Sequence, residues 1–130
     1  MKKNVLLFTT LMLIGLATMA QKAEVLYFKA ELPCCQAKAC DALEADIKAM
    51  VEKKFNAETV IFKEIKLADA ANKDIIEKHK AKSQTLVVVS KNNKNETVVD
   101  VSNLIRKYSR NQNKAEFESE LIAKINESIK

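Results

Sequence analysis

Glycine and proline are almost absent from the sequence, which has one of each in 130 residues. The glycine, Gly15, lies in an apolar N-terminal stretch, so the rest of the chain has no glycine-rich loop to bind phosphate. This excludes nucleotide-binding folds of the Rossmann and P-loop kinds. Without glycine, tight turns are expected at asparagine, which tolerates left-handed backbone angles. Asn92, Asn93 and Asn95 therefore predict a turn.

Residues 1–20 have the pattern of a secretory signal peptide. Two lysines open the segment, an apolar run from Val5 to Ala17 follows, and small residues precede the expected cleavage between Ala20 and Gln21. Residues 21–130 would then form one domain, located in the periplasm or outside the cell. The apolar run is short for a membrane span, and no cysteine follows it for lipid attachment. We expect no stable membrane anchor after cleavage; an uncleaved anchor is the alternative.

The net charge is too weak to indicate nucleic-acid binding. The chain has 22 Lys and Arg against 17 Asp and Glu, a net charge of +5. Loss of Lys2 and Lys3 with the signal peptide leaves 20 basic residues and a net charge of +3. We therefore expect no nucleic-acid partner.

Apolar residues recur at spacings typical of four strands and three helices. The predicted strands are Glu24–Lys29, Thr59–Leu67, Thr85–Val89 and Thr97–Val101, and the predicted helices run from Cys40 to Phe55, from Asn72 to Lys80 and through Phe117 to Ile129. The order β-α-β-α-β-β-α predicts an α/β fold, a four-stranded mixed sheet with helices on both faces. This is the thioredoxin-like arrangement. Open sheets of this class often bind ligands where a strand leads into a helix.

All three cysteines lie in the stretch LPCCQAKAC, at that first strand-to-helix junction. The simplest alternative to a chemical role is that the cysteines are buried in the core. Free cysteine packs as a small hydrophobe, and Cys40 falls on the apolar stripe of the helix. A structural disulfide is a second alternative, although Cys34 with Cys35 would form a strained ring. Cys35 with Cys40 would close a very short loop, and one thiol would stay unpaired.

Thiol-disulfide exchange is a third interpretation, with Cys35 and Cys40 as the working disulfide and Cys34 attacking or resolving it. Cys40 would be the more buried of that pair. Thioredoxin-type enzymes use C-x-x-C, whereas the spacing here is C-C-x4-C. They also carry a cis-proline before the third strand, where this chain has Gln84.

A soft-metal or metalloid site is the fourth interpretation. Three thiolates can hold one ion if their sulfurs come within roughly 4 Å of one another, given metal–sulfur bonds near 2.3 Å. We therefore predict an irregular loop from Pro33 until near Cys40, with Cys34, Cys35 and Cys40 as ligands. No histidine or carboxylate is expected to join them, because Asp41 and Glu44 would lie on the helix surface. Such a site suits arsenite, antimonite or Cu(I).

The segment VLYFKAELPCCQAKAC, followed by DALEADI, resembles the N-terminal region of the arsenical-resistance metallochaperones of the ArsD family. The resemblance implies that Cys34, Cys35 and Cys40 bind As(III) or Sb(III). Members of that family deliver the ion to a cytoplasmic efflux ATPase, which an exported protein would not reach. The chain is also similar to exported thioredoxin-like proteins of the ArsF type. We expect a carrier or scavenger with an envelope thiol partner or acceptor protein, rather than an enzyme; the enzymatic alternative is a thiol-disulfide oxidoreductase.

Two further features are interpreted as structural. His79, the only histidine, falls on the apolar side of the second predicted helix and is expected to pack there. The basic residues before the last helix are expected to form a solvated face; they are Arg106, Lys107, Arg110 and Lys114.

Overall fold

The computed structural model describes residues 22–31, 34–92 and 95–130, with the backbone alone for residues 34–36. The strands are β1 Ala23–Lys29, β2 Val60–Lys66, β3 Thr85–Asn92 and β4 Asn95–Asp100. The helices are α1 Cys34–Lys54, α2 Lys73–His79, α3 Ser102–Asn111 and α4 Lys114–Ser128, with a 3-10 turn at Ala70–Asn72. The predicted signal peptide, Leu32, Pro33 and Asn93 lie outside the described residues. Within the described ranges, no helix is both long and apolar enough to cross a bilayer.

The four strands form one mixed sheet in the order β2-β1-β3-β4. β1 pairs in parallel with β2, while β3 is antiparallel to both β1 and β4. β1 is therefore an interior strand, and its apolar run Val25–Phe28 is buried on both faces, as expected for a covered strand. The predicted α/β class and mixed sheet are confirmed, and the topology is consistent with a thioredoxin-like arrangement.

Helices cover both faces of the sheet and define two apolar clusters. On one face, α1, α3 and α4 pack side chains such as Ile47, Ile105 and Leu121 against Val25 and Tyr27 of β1. On the other face, α2 packs against a smaller cluster that includes Leu26 and Phe28. Alternate residues of β1 thus belong to opposite cores, as the two-residue period of a strand requires.

The first helix begins at Cys34, which corrects the predicted irregular loop up to Cys40. The residues between the cysteines explain the difference. Gln36, Ala37, Lys38 and Ala39 are all strong helix formers, and no glycine or proline interrupts them. The helix therefore propagates back to the paired cysteines.

A fourth helix, α3, was not predicted; its basic residues were expected only to form a solvated face. Its N-terminus is held by Asp100, whose Oδ1 accepts a hydrogen bond from the Ser102 amide at 2.8 Å. Leu104 and Ile105 are buried, which anchors one face of the helix. The opposite face carries Lys107, whose Nζ lies 2.6 Å from carboxylate oxygens of Glu116 and Glu120 in α4.

Among the described residues, left-handed backbone angles occur at lysine and glutamine, while Asn92 ends β3 and Asn95 begins β4 on either side of the predicted turn. In the described part of the chain, the residues with positive φ are Lys80, Gln84 and Gln112. Lys80 and Gln112 follow the C-termini of α2 and α3, where glycine is usually preferred. Asn113 instead caps α4, accepting a hydrogen bond from the Glu116 amide at 3.1 Å.

Candidate functional site

Cys40 lies on the core side of α1 and is 3% exposed, as its place on the apolar stripe predicted. Its thiol is free. The thiols of Cys34 and Cys35 are outside the described side chains, so their meeting with Cys40 stays a prediction. For the same reason, the relative burial of Cys35 and Cys40 is untested. Among the side chains that are described, no three histidine, cysteine or acidic groups are arranged to hold a metal ion.

Gln84 is the residue whose side chain contacts Cys40. It stands immediately before β3, at the position matched from sequence to the proline of thioredoxins. Its Nε2 donates a hydrogen bond to Cys40 Sγ at 3.4 Å, and its backbone N–H donates to the Phe28 carbonyl at 3.0 Å. The residue has φ of 61°, a costly angle for a side chain with a Cβ. The backbone is thus held in a strained angle while the amide points at the sulfur.

Tyr27 is the site residue that sequence reasoning missed. It lies on β1, is 0% exposed, and its hydroxyl has no hydrogen-bond partner among the described residues. Burial raises the pKa of Tyr27 above its usual range, and the neighbouring Cys40 adds to the rise through charge and hydrogen bonding. No hydrogen bond of standard geometry joins the two groups in the described structure. The alternation of β1 places Tyr27 on the face of α1, which is the signal that could have found it.

Lys29, at the end of β1, binds the acidic residues of α1. Its Nζ pairs with Asp41 and lies 2.8 Å from Glu44 Oε2. Hydrogen bonds to Asp41 and then to Glu44 raise the pKa of Lys29, so the ammonium stays charged. Asp41 is exposed as predicted, whereas Glu44 is half-buried. Both carboxylates near Cys40 are therefore engaged by a cation of the protein.

Glu64 of β2 is a third carboxyl group near the Lys29 ammonium. Its Oε1 lies 3.9 Å from Lys29 Nζ and makes no hydrogen bond among the described residues. Burial raises the pKa of Glu64, and a hydrogen bond with Glu44 raises it further.

Helix geometry sets the distance between the paired cysteines and Cys40. A regular helix rises about 1.5 Å per residue, so the Cys40 α-carbon lies about 9 Å along the axis from that of Cys34 and about 7.5 Å from that of Cys35. Five residues also rotate a regular helix by about 140°, so the α-carbons of Cys35 and Cys40 lie on different sides of the helix axis. Convergence of the three sulfurs therefore requires the first turn of α1 to unwind.

His79 lies away from the thiol site. It is half-buried in α2, and its ring centroid is 6.0 Å from that of Phe28, on the opposite face of the sheet from Tyr27. Burial lowers the pKa of His79, and the charge of Lys78 lowers it further. The neutral imidazole thus packs as a ring against the smaller core.

Two surface cavities border the site. One, of about 260 Å³, is lined by Lys29, Glu31 and Ala37 at the junction of β1 and α1. The other, of about 410 Å³, is lined by Gln84 together with basic residues that include Lys82 and Arg106. The first cavity opens at the junction of β1 and α1 and the second opens beside Gln84, and Cys40 lines neither of them.

Comparison with known proteins does not place the chain in a family. No protein-family model matches it. Comparison with curated proteins likewise finds no match. A function for this chain must therefore be argued from the chemistry of its own junction.

Proposed function

We propose that this protein is a carrier or scavenger that binds one soft metal or metalloid ion through Cys34, Cys35 and Cys40. The ions that suit three thiolates are arsenite, antimonite and Cu(I). The observation that carries the proposal is the environment of Cys40. Its sulfur is buried and receives a hydrogen bond from the side-chain amide of Gln84. Gln84 thus places a hydrogen-bond donor at the sulfur that we propose as a ligand.

The charged residues around Cys40 support a site that is made of soft sulfur ligands alone. Lys29 pairs with both Asp41 and Glu44, which are the carboxylates nearest to Cys40 along α1. His79 packs on the opposite face of the sheet. Hard cations such as Mg²⁺ and Ca²⁺ need several oxygen ligands, and the Lys29 ammonium already engages both of these carboxylates.

Binding would reshape the start of α1. The helical first turn keeps Cys34 and Cys35 too far from Cys40 for one ion to reach all three, so the ion has to draw them together. The first helical N–H groups have no intrahelical partner, which makes this end the least costly turn to open. The loaded protein should therefore lose helical backbone shifts at residues 34–37, measurable by NMR, and keep them through the rest of α1.

The test is a titration of the purified, reduced protein with arsenite and, separately, with Cu(I) under competition by a chelator. One ion per chain is expected, with affinity lost in each of the variants Cys34→Ser, Cys35→Ser and Cys40→Ser. Ala39→Ser is the matched control, because it adds a serine at an exposed position of the same helix and removes no thiol. X-ray absorption of the loaded protein should report three sulfur neighbours.

The rival function is thiol-disulfide exchange through Cys35 and Cys40. A disulfide requires α-carbons within about 7 Å, so this form also needs the first turn to unwind. Absence of ion binding, together with disulfide reduction that survives in Cys34→Ser, would reject the carrier function and establish the redox one.

A further inference from the structure

A basic cavity lies between the segment that leads into β3 and the start of α3. Its volume is about 410 Å³, and its lining includes three cations, Lys80, Lys82 and Arg106, against one carboxylate, Asp100. The three cations are exposed, and within the described residues no carboxylate oxygen lies within 4.0 Å of any of them. Cations that line one cavity repel one another, and a bound anion would relieve that repulsion.

Both walls of the basic cavity are ordered by hydrogen bonds. On one wall, the Thr85 N–H donates to the Lys82 carbonyl at 3.1 Å, and the Lys82 N–H donates to Thr85 Oγ1 at 2.9 Å. On the other wall, the Leu86 N–H donates to Ser102 Oγ at 2.9 Å, which ties the start of α3 to β3. Arg106 follows Ser102 by about one helical turn. The backbones that carry the cations are therefore held in place before any ligand binds.

Asp100 does not neutralise these cations. Its Oδ1 accepts a hydrogen bond from the Ser102 N–H at 2.8 Å, so its carboxylate caps α3. The start of α3 is thus already capped by the protein itself. Attraction for an anion comes from the lysine and arginine side chains rather than from the helix terminus.

The lining of the basic cavity suits an acidic peptide segment better than a small organic ligand. Sites for small organic molecules are mostly apolar and enclose most of the ligand surface. Here Ile105 is the one apolar residue of the lining, and the cations stand at the solvent-exposed rim. Exposed basic clusters recognise acidic segments by long-range attraction, and the arginine guanidinium can bind a carboxylate through two N–H groups.

We infer that the basic cavity is the docking site for an acidic segment of a partner protein. Gln84 lines this cavity, and its Nε2 donates a hydrogen bond to Cys40 Sγ at 3.4 Å. A docked segment therefore lies one side chain away from a sulfur that we propose as an ion ligand. The partner's role as acceptor or donor of the ion rests on the proposed function. The docking does not, because none of the three cations is a proposed ligand.

The first experiment titrates the reduced, ion-free protein with two synthetic peptides and follows backbone amide shifts by NMR. One peptide alternates Asp and Glu between terminal glycines, and the other has Asn and Gln in their place. The acidic peptide should bind and shift the amides of Ser83, Gln84 and Thr85, and binding should weaken as salt is added. Equal binding of the two peptides would overturn the inference, because charge would then not be what is recognised.

Charge-reversal variants locate the site. The double variant Lys82→Glu and Arg106→Glu should bind the acidic peptide about tenfold or more weakly, because each change replaces an attraction by a repulsion. Lys82→Arg keeps the charge and should keep the affinity. The control Lys53→Glu and Lys54→Glu has the same net charge as the reversed variant, and both residues are exposed in the last turn of α1. An equal loss in this control would reduce the effect to overall charge and overturn the site.

Two further measurements separate other occupants of the basic cavity. Inorganic phosphate should compete with the peptide no better than sodium chloride of equal ionic strength. Stronger competition by phosphate would identify a small-anion site. Sedimentation that shows a dimer lost in the charge-reversed variant would identify a second copy of this chain, and either result overturns the inference. If wild type binds neither arsenite nor Cu(I) but binds the acidic peptide, the carrier function fails and the docking site stands; the converse result removes only the docking site.

Discussion

Gln84 joins two effects that substitution can separate, a strained backbone angle and a hydrogen bond to Cys40. Gln84→Ala removes the amide and keeps the Cβ at φ of 61°. Gln84→Gly removes the amide and also the Cβ. Comparison of the two variants therefore isolates the backbone term, because the contact to sulfur is lost equally in both.

The magnitudes follow from the geometry. Thiol sulfur is a weak acceptor, so loss of the amide–sulfur hydrogen bond of 3.4 Å should cost about 0.5 kcal/mol, the low end for a neutral hydrogen bond. A left-handed angle costs a residue with a Cβ about 1–2 kcal/mol, and glycine gives back about 0.5–1 kcal/mol in chain entropy. Gln84→Gly should thus be more stable than Gln84→Ala by about 0.5–1 kcal/mol, and close to wild type.

Urea unfolding followed by circular dichroism measures the free energies of unfolding, and a thermal midpoint higher by a few degrees should accompany the gain. Thr85 supplies the control, since it is the next residue and already belongs to the regular strand β3. There the order should reverse, with Thr85→Ala more stable than Thr85→Gly. A Gln84→Gly protein no more stable than Gln84→Ala would refute the claim that this position stores backbone strain.

Three other predictions concern the stability of the frame around the site. Lys80→Gly should raise the free energy of unfolding by about 0.5 kcal/mol, because Lys80 ends α2 with φ of 49°. Lys78→Gly, which lies inside the helix, should lower the free energy of unfolding by about 1 kcal/mol. Leu121→Ala should cost about 2–5 kcal/mol in urea unfolding, since Leu121 is 0% exposed in the larger core; a loss below 1 kcal/mol would show that α4 is not packed there. The raised pKa of Glu64 means that the fold prefers the protonated carboxyl, so its stabilising contribution is complete below the ordinary pKa of 4.5 and is lost as pH rises through the folded value. Glu64→Gln should flatten that part of the stability–pH curve, and an unchanged curve would contradict the burial of this carboxyl.

The sheet was largely predictable from sequence, because its strands are marked by local patterns. The continuous apolar run of β1 indicated a strand covered on both faces, and the β-rich runs before and after the polar segment 91–95 indicated the antiparallel pair β3 and β4. These patterns depend only on which face of each strand is buried. The closing helix α4 was equally clear, since Phe117, Leu121 and Ile125 all face the core.

The errors arose where tertiary contacts override local patterns. α3 buries only a narrow stripe, and its other side is neutralised by carboxylates of α4, which no local window contains. At the junction, the predicted loop followed from the cysteine spacing and gave too little weight to the helix propensity of Gln36–Ala39. Tyr27 was hidden because, in sequence, it is one apolar residue of a buried strand. The contact of Gln84 with Cys40 depends on the pairing of β1 with β3 and on the docking of α1.

Because β1 is an interior strand, amide exchange along it should report on ion binding. β1 is hydrogen bonded along both edges, so its amides should exchange with solvent only when the whole domain opens. If the proposed ion binds the folded chain more tightly than the unfolded chain, it lowers the population of that open state. Amide exchange at Val25 and Leu26 should then slow as the ion is added.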